Sequence, residues 1–99
     1  MISRERRKRI VQKAFLKKEY ALTPEQVEEM KLRQRGVCPP CGKSFDDPDV
    51  KMTIDHIHDR TKRVRGLLCN HCNLAIGHAY ENPEVLRNLA EYLENNGHA

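Results

Sequence analysis

The stretch TIDHIHDRTKRVRGLLCNHCN, residues 53–73, decides how this 99-residue chain reads. The short run Met52-Thr53-Ile54 suits a strand that delivers Asp55 and His56 at its end. Asp59-Arg60-Thr61-Lys62 turns the chain, and Val64 to Leu68 is apolar enough to return as an antiparallel partner. Asn70 to Ala79 then suits a helix that carries the pair Cys69-x2-Cys72 at its start. A second pair lies upstream in Cys38-Pro39-Pro40-Cys41-Gly42, and the chain has no other cysteine.

Two residues between the cysteines of a pair let both sulfurs grip one ion from a single turn. At the first pair the prolines and the glycine force that turn. Zinc is tetrahedral and borderline soft, so four thiolates make a closed structural site with no position left for substrate. The 27 residues between Cys41 and Cys69 are long enough for the hairpin to lie inside the loop that the metal closes. Disulfides or unpaired core cysteines are the competing readings. No apolar segment of signal type follows the first basic residues, so a reducing, cytoplasmic setting and zinc ligation are expected.

Composition points the same way. Hydrophobic residues make up 38% of the chain, aromatic ones 5% and charged ones 32%, which leaves a thin core. Domains of this size often need a metal to fold. No apolar run approaches the about 20 residues of a membrane span, so no membrane partner is expected. The net charge of +4 is uneven, with eight Lys/Arg against Glu5 alone in residues 1–18 and four more at Arg60, Lys62, Arg63 and Arg65. Such clusters suit a polyanion, although a basic run can also simply solvate a helix.

The flanks read as helices. Ile10, Val11, Ala14 and Phe15 recur at helical spacing within residues 4–20. Thr23-Pro24-Glu25-Gln26 is a capping-box start for a second helix, turning Val27, Met30 and Leu32 inward and stopping at Gly36. Asn82-Pro83-Glu84 caps a last helix with Val85, Leu86, Leu89, Ala90 and Leu93 on one side. These read first as core, and in so thin a protein also as a face through which a homodimer could form. The chain thus divides into a basic helical arm, residues 1–35, and a zinc-bound domain, residues 36–99. The expected class is α+β: a small zinc-stapled hairpin and helix, preceded by two helices and followed by one.

Inside the staple, Asp55, His56, His58 and Asn73 carry the chemistry. A carboxylate and an amide oxygen suit a hard, water-retaining cation such as Mg²⁺. A histidine titrates near the range needed to take a proton from water, and the cation would stabilise charge on a leaving phosphodiester oxygen. His58, two residues beyond His56 in an extended segment, would share its face. Taken alone, an Asp-His pair is as readily a hydrogen-bonded turn, and Asn73 a helix cap. His71 and His78 read as surface or structural groups, because four thiolates already satisfy zinc.

The run Thr53 to His58, followed by Val64-Arg65-Gly66-Leu67-Leu68-Cys69-Asn70-His71-Cys72-Asn73 and preceded by a CxxC pair, resembles the recombination endonuclease VII family of bacteriophages. That family lies within the HNH, or ββα-metal, nucleases, and the resemblance covers about residues 36–95. It implies structural zinc on Cys38, Cys41, Cys69 and Cys72. It implies a catalytic Mg²⁺ or Mn²⁺ on Asp55 and Asn73, with His56 as general base and His58 at the scissile phosphate or the leaving group. The expected activity is hydrolysis of duplex, nicked or branched DNA to 5′-phosphate and 3′-hydroxyl ends, in a phage- or prophage-encoded protein inside a bacterium. Arg63, Arg65, Arg6, Arg7 and Arg9 are the expected DNA contacts. Many members have Asp where this chain has Ile57, a position that alternation turns to the opposite face.

Two narrower readings stand beside this one, a Holliday-junction resolvase and a zinc-ribbon module that binds DNA without cutting it. The second has no use for Asp55, His56 and Asn73 together.

Overall fold

The computed structural model describes residues 13–58 and 60–96. Arg6, Arg7 and Arg9, with Ile10 and Val11, lie outside the described residues. Helix α1 covers residues 13–20, α2 Pro24–Arg33, β1 Met52–His56, β2 Val64–Cys69, α3 Asn70–His78 and α4 Pro83–Asn95. The architecture is mixed α+β: four helices and a two-stranded antiparallel hairpin, with the four cysteines clustered. No helix among the described residues is long and apolar enough to cross a membrane.

The capping signals behave as read. Thr23 Oγ1 accepts from the Gln26 N–H, while Gln26 Oε1 accepts from the Thr23 N–H, so both donors at the start of α2 are satisfied. Asn82 Oδ1 accepts from Glu84 and Val85 at the start of α4. Helix α2 ends at Arg33, earlier than Gly36, because Arg35 and Gly36 both take positive φ (59° and 70°) and send their N–H groups back to Leu32 and Lys31. This is a Schellman-type ending, which closes the last carbonyls of a helix.

One core holds the elements together: Leu16, Val27, Cys38, Phe45, Leu67, Leu68 and Cys69, bordered by Tyr20, Leu22, Met30, Met52 and Ile54. Helices α1 and α2 therefore reach the same buried cluster as the hairpin. Several expectations change here. Leu16 is the buried residue of α1 while Phe15 stays exposed, its ring set edge-on to Tyr20. Leu32 is 77% exposed, one position past the stripe that Val27 and Met30 share. Helix α4 has no fully buried residue: Val85 and Leu86 are half-buried while Leu89 is 51% and Leu93 53% exposed, so the described residues cover its apolar side only in part.

The hairpin pairs Met52 with Cys69, Thr53 with Leu68, Ile54 with Leu67 and Asp55 with Gly66. The next pair is His56 with Val64, so β2 has one residue too many at Arg65. Such a bulge bends the strand and re-aims a side chain. Alternation puts Thr53 and Asp55 on one face of β1, and α3 packs against both strands.

Candidate functional site

Two centres share the hairpin. The first is the cysteine cluster. Cys38 and Cys41 sit in a knuckle closed by a bridge between Val37 and Ser44, with the Cys38 N–H donating to Lys43 and the Gly42 N–H to Cys38. Cys69 is the last residue of β2 and the N-cap of α3, and Cys72 lies in the first turn of that helix. The four sulfurs lie within 4.8 Å of one another, and those of Cys41 and Cys69 are 3.8 Å apart. A tetrahedral ion with Zn–S bonds of about 2.3 Å separates its sulfurs by about 3.8 Å. The four cysteines could therefore hold a structural metal ion such as zinc.

Backbone amides favour charge on these sulfurs. The Cys69 N–H donates to Cys38 Sγ at 3.2 Å, and the Cys72 N–H to Cys69 Sγ at 3.4 Å. The bond from Cys72 brings the Cys69 thiol down to about 7. Burial pushes the Cys38 and Cys72 thiols up, as expected of sulfurs that want a cation beside them.

The second centre lies at the far end of the hairpin. Asp55 is 6% exposed, a cost that its partner offsets. Arg65 Nε donates to Asp55 Oδ2 at 2.8 Å and Arg65 Nη2 to Oδ1 at 2.9 Å, a two-point fork that the bulge makes reachable. Arg65 Nη2 also donates to Glu81 Oε1. These bonds hold the guanidinium charged, well above its ordinary titration range. The same Glu81 oxygen is 3.8 Å from His58 Nε2. The rings of His58 and His56 lie 4.7 Å apart, and the Tyr20 ring is 5.5 Å from that of His56. A continuous chain of contacts thus runs from Tyr20 through His56, His58, Glu81 and Arg65 to Asp55.

Asn73 approaches from α3. Its Nδ2 donates to Thr53 Oγ1 at 3.2 Å, and that hydroxyl donates to the Leu68 carbonyl at 2.8 Å. Thr53 shares its strand face with Asp55, so the bond brings Asn73 to the face that carries the buried carboxylate.

Most of the residues singled out in the sequence meet at these two centres. Arg65 forks onto Asp55 while its side chain stays 37% exposed. Arg63 is exposed, and its carbonyl accepts from the Ile57 N–H at 2.8 Å. His71 and His78 are exposed on α3. Glu81 was not legible. It opens a stretch, Glu81 to Glu94, where acidic residues outnumber basic ones, and only the sharp turn after α3 folds it back onto the hairpin.

The sequence pattern of the family described as recombination endonuclease VII matches residues 13–95. The chain belongs to the recombination endonuclease VII family. No curated protein sequence and no solved structure matches it. Membership makes an endonuclease of this scaffold and DNA its partner. The endonuclease VII match begins at residue 13, so it takes in helices α1 and α2 as well as the cysteine-bound hairpin.

Proposed function

We propose that this chain is a metal-dependent DNA endonuclease of the HNH type, hydrolysing phosphodiester bonds to leave 5′-phosphate and 3′-hydroxyl ends. The supporting observation is the convergence of Asp55, Arg65, His56 and His58 at one end of the hairpin, with Asn73 reaching the same strand from α3. His56 takes the proton from the attacking water. Arg65 commits Nε and Nη2 to Asp55 and Glu81, so it would meet a phosphate through Nη1 while its charge stays at the site. His58, exposed at the edge, meets the phosphate or the departing oxygen.

Asp55 and Asn73 would hold Mg²⁺ or Mn²⁺. The donors fit a hard cation: each Asp55 oxygen accepts one bond from Arg65 and keeps further acceptor capacity, and the Asn73 bond to Thr53 uses the amide nitrogen rather than the oxygen. When bound, such an ion supplies positive charge for the departing oxygen. Arg63, with Arg6, Arg7 and Arg9 in the basic arm, contacts the backbone of the DNA.

Branched DNA is the narrower substrate, cut by a homodimer. The observation favouring two copies is helix α4, which has no fully buried residue and exposes Leu89 and Tyr92 (51% and 63%). Cleavage of supercoiled plasmid, linear duplex and a four-way junction by zinc-loaded protein with Mg²⁺ or Mn²⁺ tests these points. Wild type is expected to cut, and His56→Ala to lose about 100-fold or more in rate. Cutting confined to the junction selects the resolvase. Binding without cutting any substrate overturns the enzyme reading in favour of a zinc-ribbon module.

A further inference from the structure

Helices α2 and α3 end in the same way. After α2, Arg35 and Gly36 take positive φ, and the Gly36 N–H reaches back to the Lys31 carbonyl at 2.9 Å. After α3, Tyr80 and Glu81 take positive φ (59° and 54°), and the Glu81 N–H reaches back to the Ile76 carbonyl at 2.9 Å. The second left-handed place is held by glycine in one turn and by glutamate in the other. A side chain there strains the backbone, so the turn itself favours glycine. Tyr80 and Arg35 take the same backbone, so a role for Glu81 rests on what its side chain touches rather than on the strain.

One oxygen of the Glu81 carboxylate accepts from Arg65 Nη2 and lies 3.8 Å from His58 Nε2. It is the one described group that touches both the guanidinium on Asp55 and the histidine pair. We infer that Glu81 is a positioning residue of the phosphodiester site, holding Arg65 and His58 at a fixed separation so that both address one phosphate. It does not touch the reacting atoms and acts through those two side chains. The inference rests on the endonuclease reading given above.

The test compares Glu81→Gly, Glu81→Gln and Glu81→Asp with wild type in zinc-loaded full-length protein. Three quantities are read: single-turnover cleavage with Mg²⁺, DNA affinity by fluorescence anisotropy without added Mg²⁺, and thermal melting. Glu81→Gly relieves the turn, so its melting temperature is expected to equal or exceed that of wild type. Its maximal cleavage rate is expected to fall about 100-fold, since misplacing reacting groups by about 1 Å costs that much. DNA affinity should change less than about twofold, because the net cationic surface is not reduced. Glu81→Gln keeps the shape and loses the charge, and should show the same rate loss. Glu81→Asp should recover part of it. Adding Glu81→Gln to His58→Ala should cost far less than the two losses multiplied, because both act through one group.

Glu81→Gly and Glu81→Gln cutting within about twofold of wild type would overturn the inference and leave the endonuclease reading standing. So would a rate loss that merely follows a drop in melting temperature. Wild-type protein that cuts no DNA overturns both readings.

Discussion

Gln34 makes with Leu67 both hydrogen bonds that a third strand would make: the Leu67 N–H donates to Oε1 at 2.9 Å, and Nε2 donates to the Leu67 carbonyl at 2.9 Å. A side-chain amide thus pairs the outer edge of β2 beside a fully buried leucine. Gln34→Ala leaves those backbone groups without partners and is expected to lower stability by about 1–3 kcal/mol in denaturant unfolding of zinc-loaded protein. Gly66→Ala should act on the same contact. Its added Cβ would sit 3.1 Å from Gln34 Oε1, an atom the Leu67 bond holds in place. A loss of about 1 kcal/mol is expected.

Tyr80 stands where a Schellman ending prefers glycine, with φ 59° and a ring 86% exposed. Little packing is lost on removing it. Tyr80→Gly is expected to raise stability by about 1 kcal/mol, read as a higher midpoint in thermal or urea unfolding.

Arg65 neutralises a carboxylate with almost no access to water. Arg65→Met leaves Asp55 charged and without its fork, and is expected to cost about 2–3 kcal/mol. Asp55→Asn, which leaves no buried charge behind, should cost less. The double variant should be more stable than the sum of the singles predicts, and a thermodynamic cycle on the four proteins measures that coupling.

Removing the metal should unfold the domain, because structural zinc contributes on the order of 10 kcal/mol in small modules. Cys72→Ser or an excess of chelator should abolish the far-UV circular dichroism of the hairpin and α3. The pH dependence has a definite sign. Zinc takes thiolates, Cys69 gives up its proton near 7, and burial holds the protons of Cys38 and Cys72 to higher pH. Metal loading therefore releases protons and weakens as pH falls, which zinc transfer to a chromophoric chelator at pH 8 and pH 5.5 would follow.

Much of this was written in short-range sequence. Thr23 with Gln26, and Asn82 ahead of Pro83, announce their helix starts because capping is settled within three residues. The cysteine spacing announces the cluster for the same reason. What escaped depends on long-range geometry. Glu81 reaches Arg65 only because two residues adopt left-handed backbone. Arg65 reaches Asp55 only because β2 carries an extra residue; Gly66 is a residue that permits a bulge, but nothing local says which side chain the bulge re-aims or what it meets. Helix α4 misled for another reason: an apolar stripe fixes which face is sticky but not what it sticks to, and here the described residues cover that face only in part.

Cys69 has three duties at one address: it pairs with Met52 as the last rung of the hairpin, caps α3 and offers one of the four sulfurs. A change at Cys69 therefore disturbs the strand register, the start of the helix and the set of candidate metal ligands together. Asn73, a single turn further along α3, inherits its placement from the same residue. The domain is thus expected to lose metal and far-UV signal together on titration with a chelator, as a single cooperative unit would. On that expectation, the supply of metal would set how many copies exist in a form able to meet DNA.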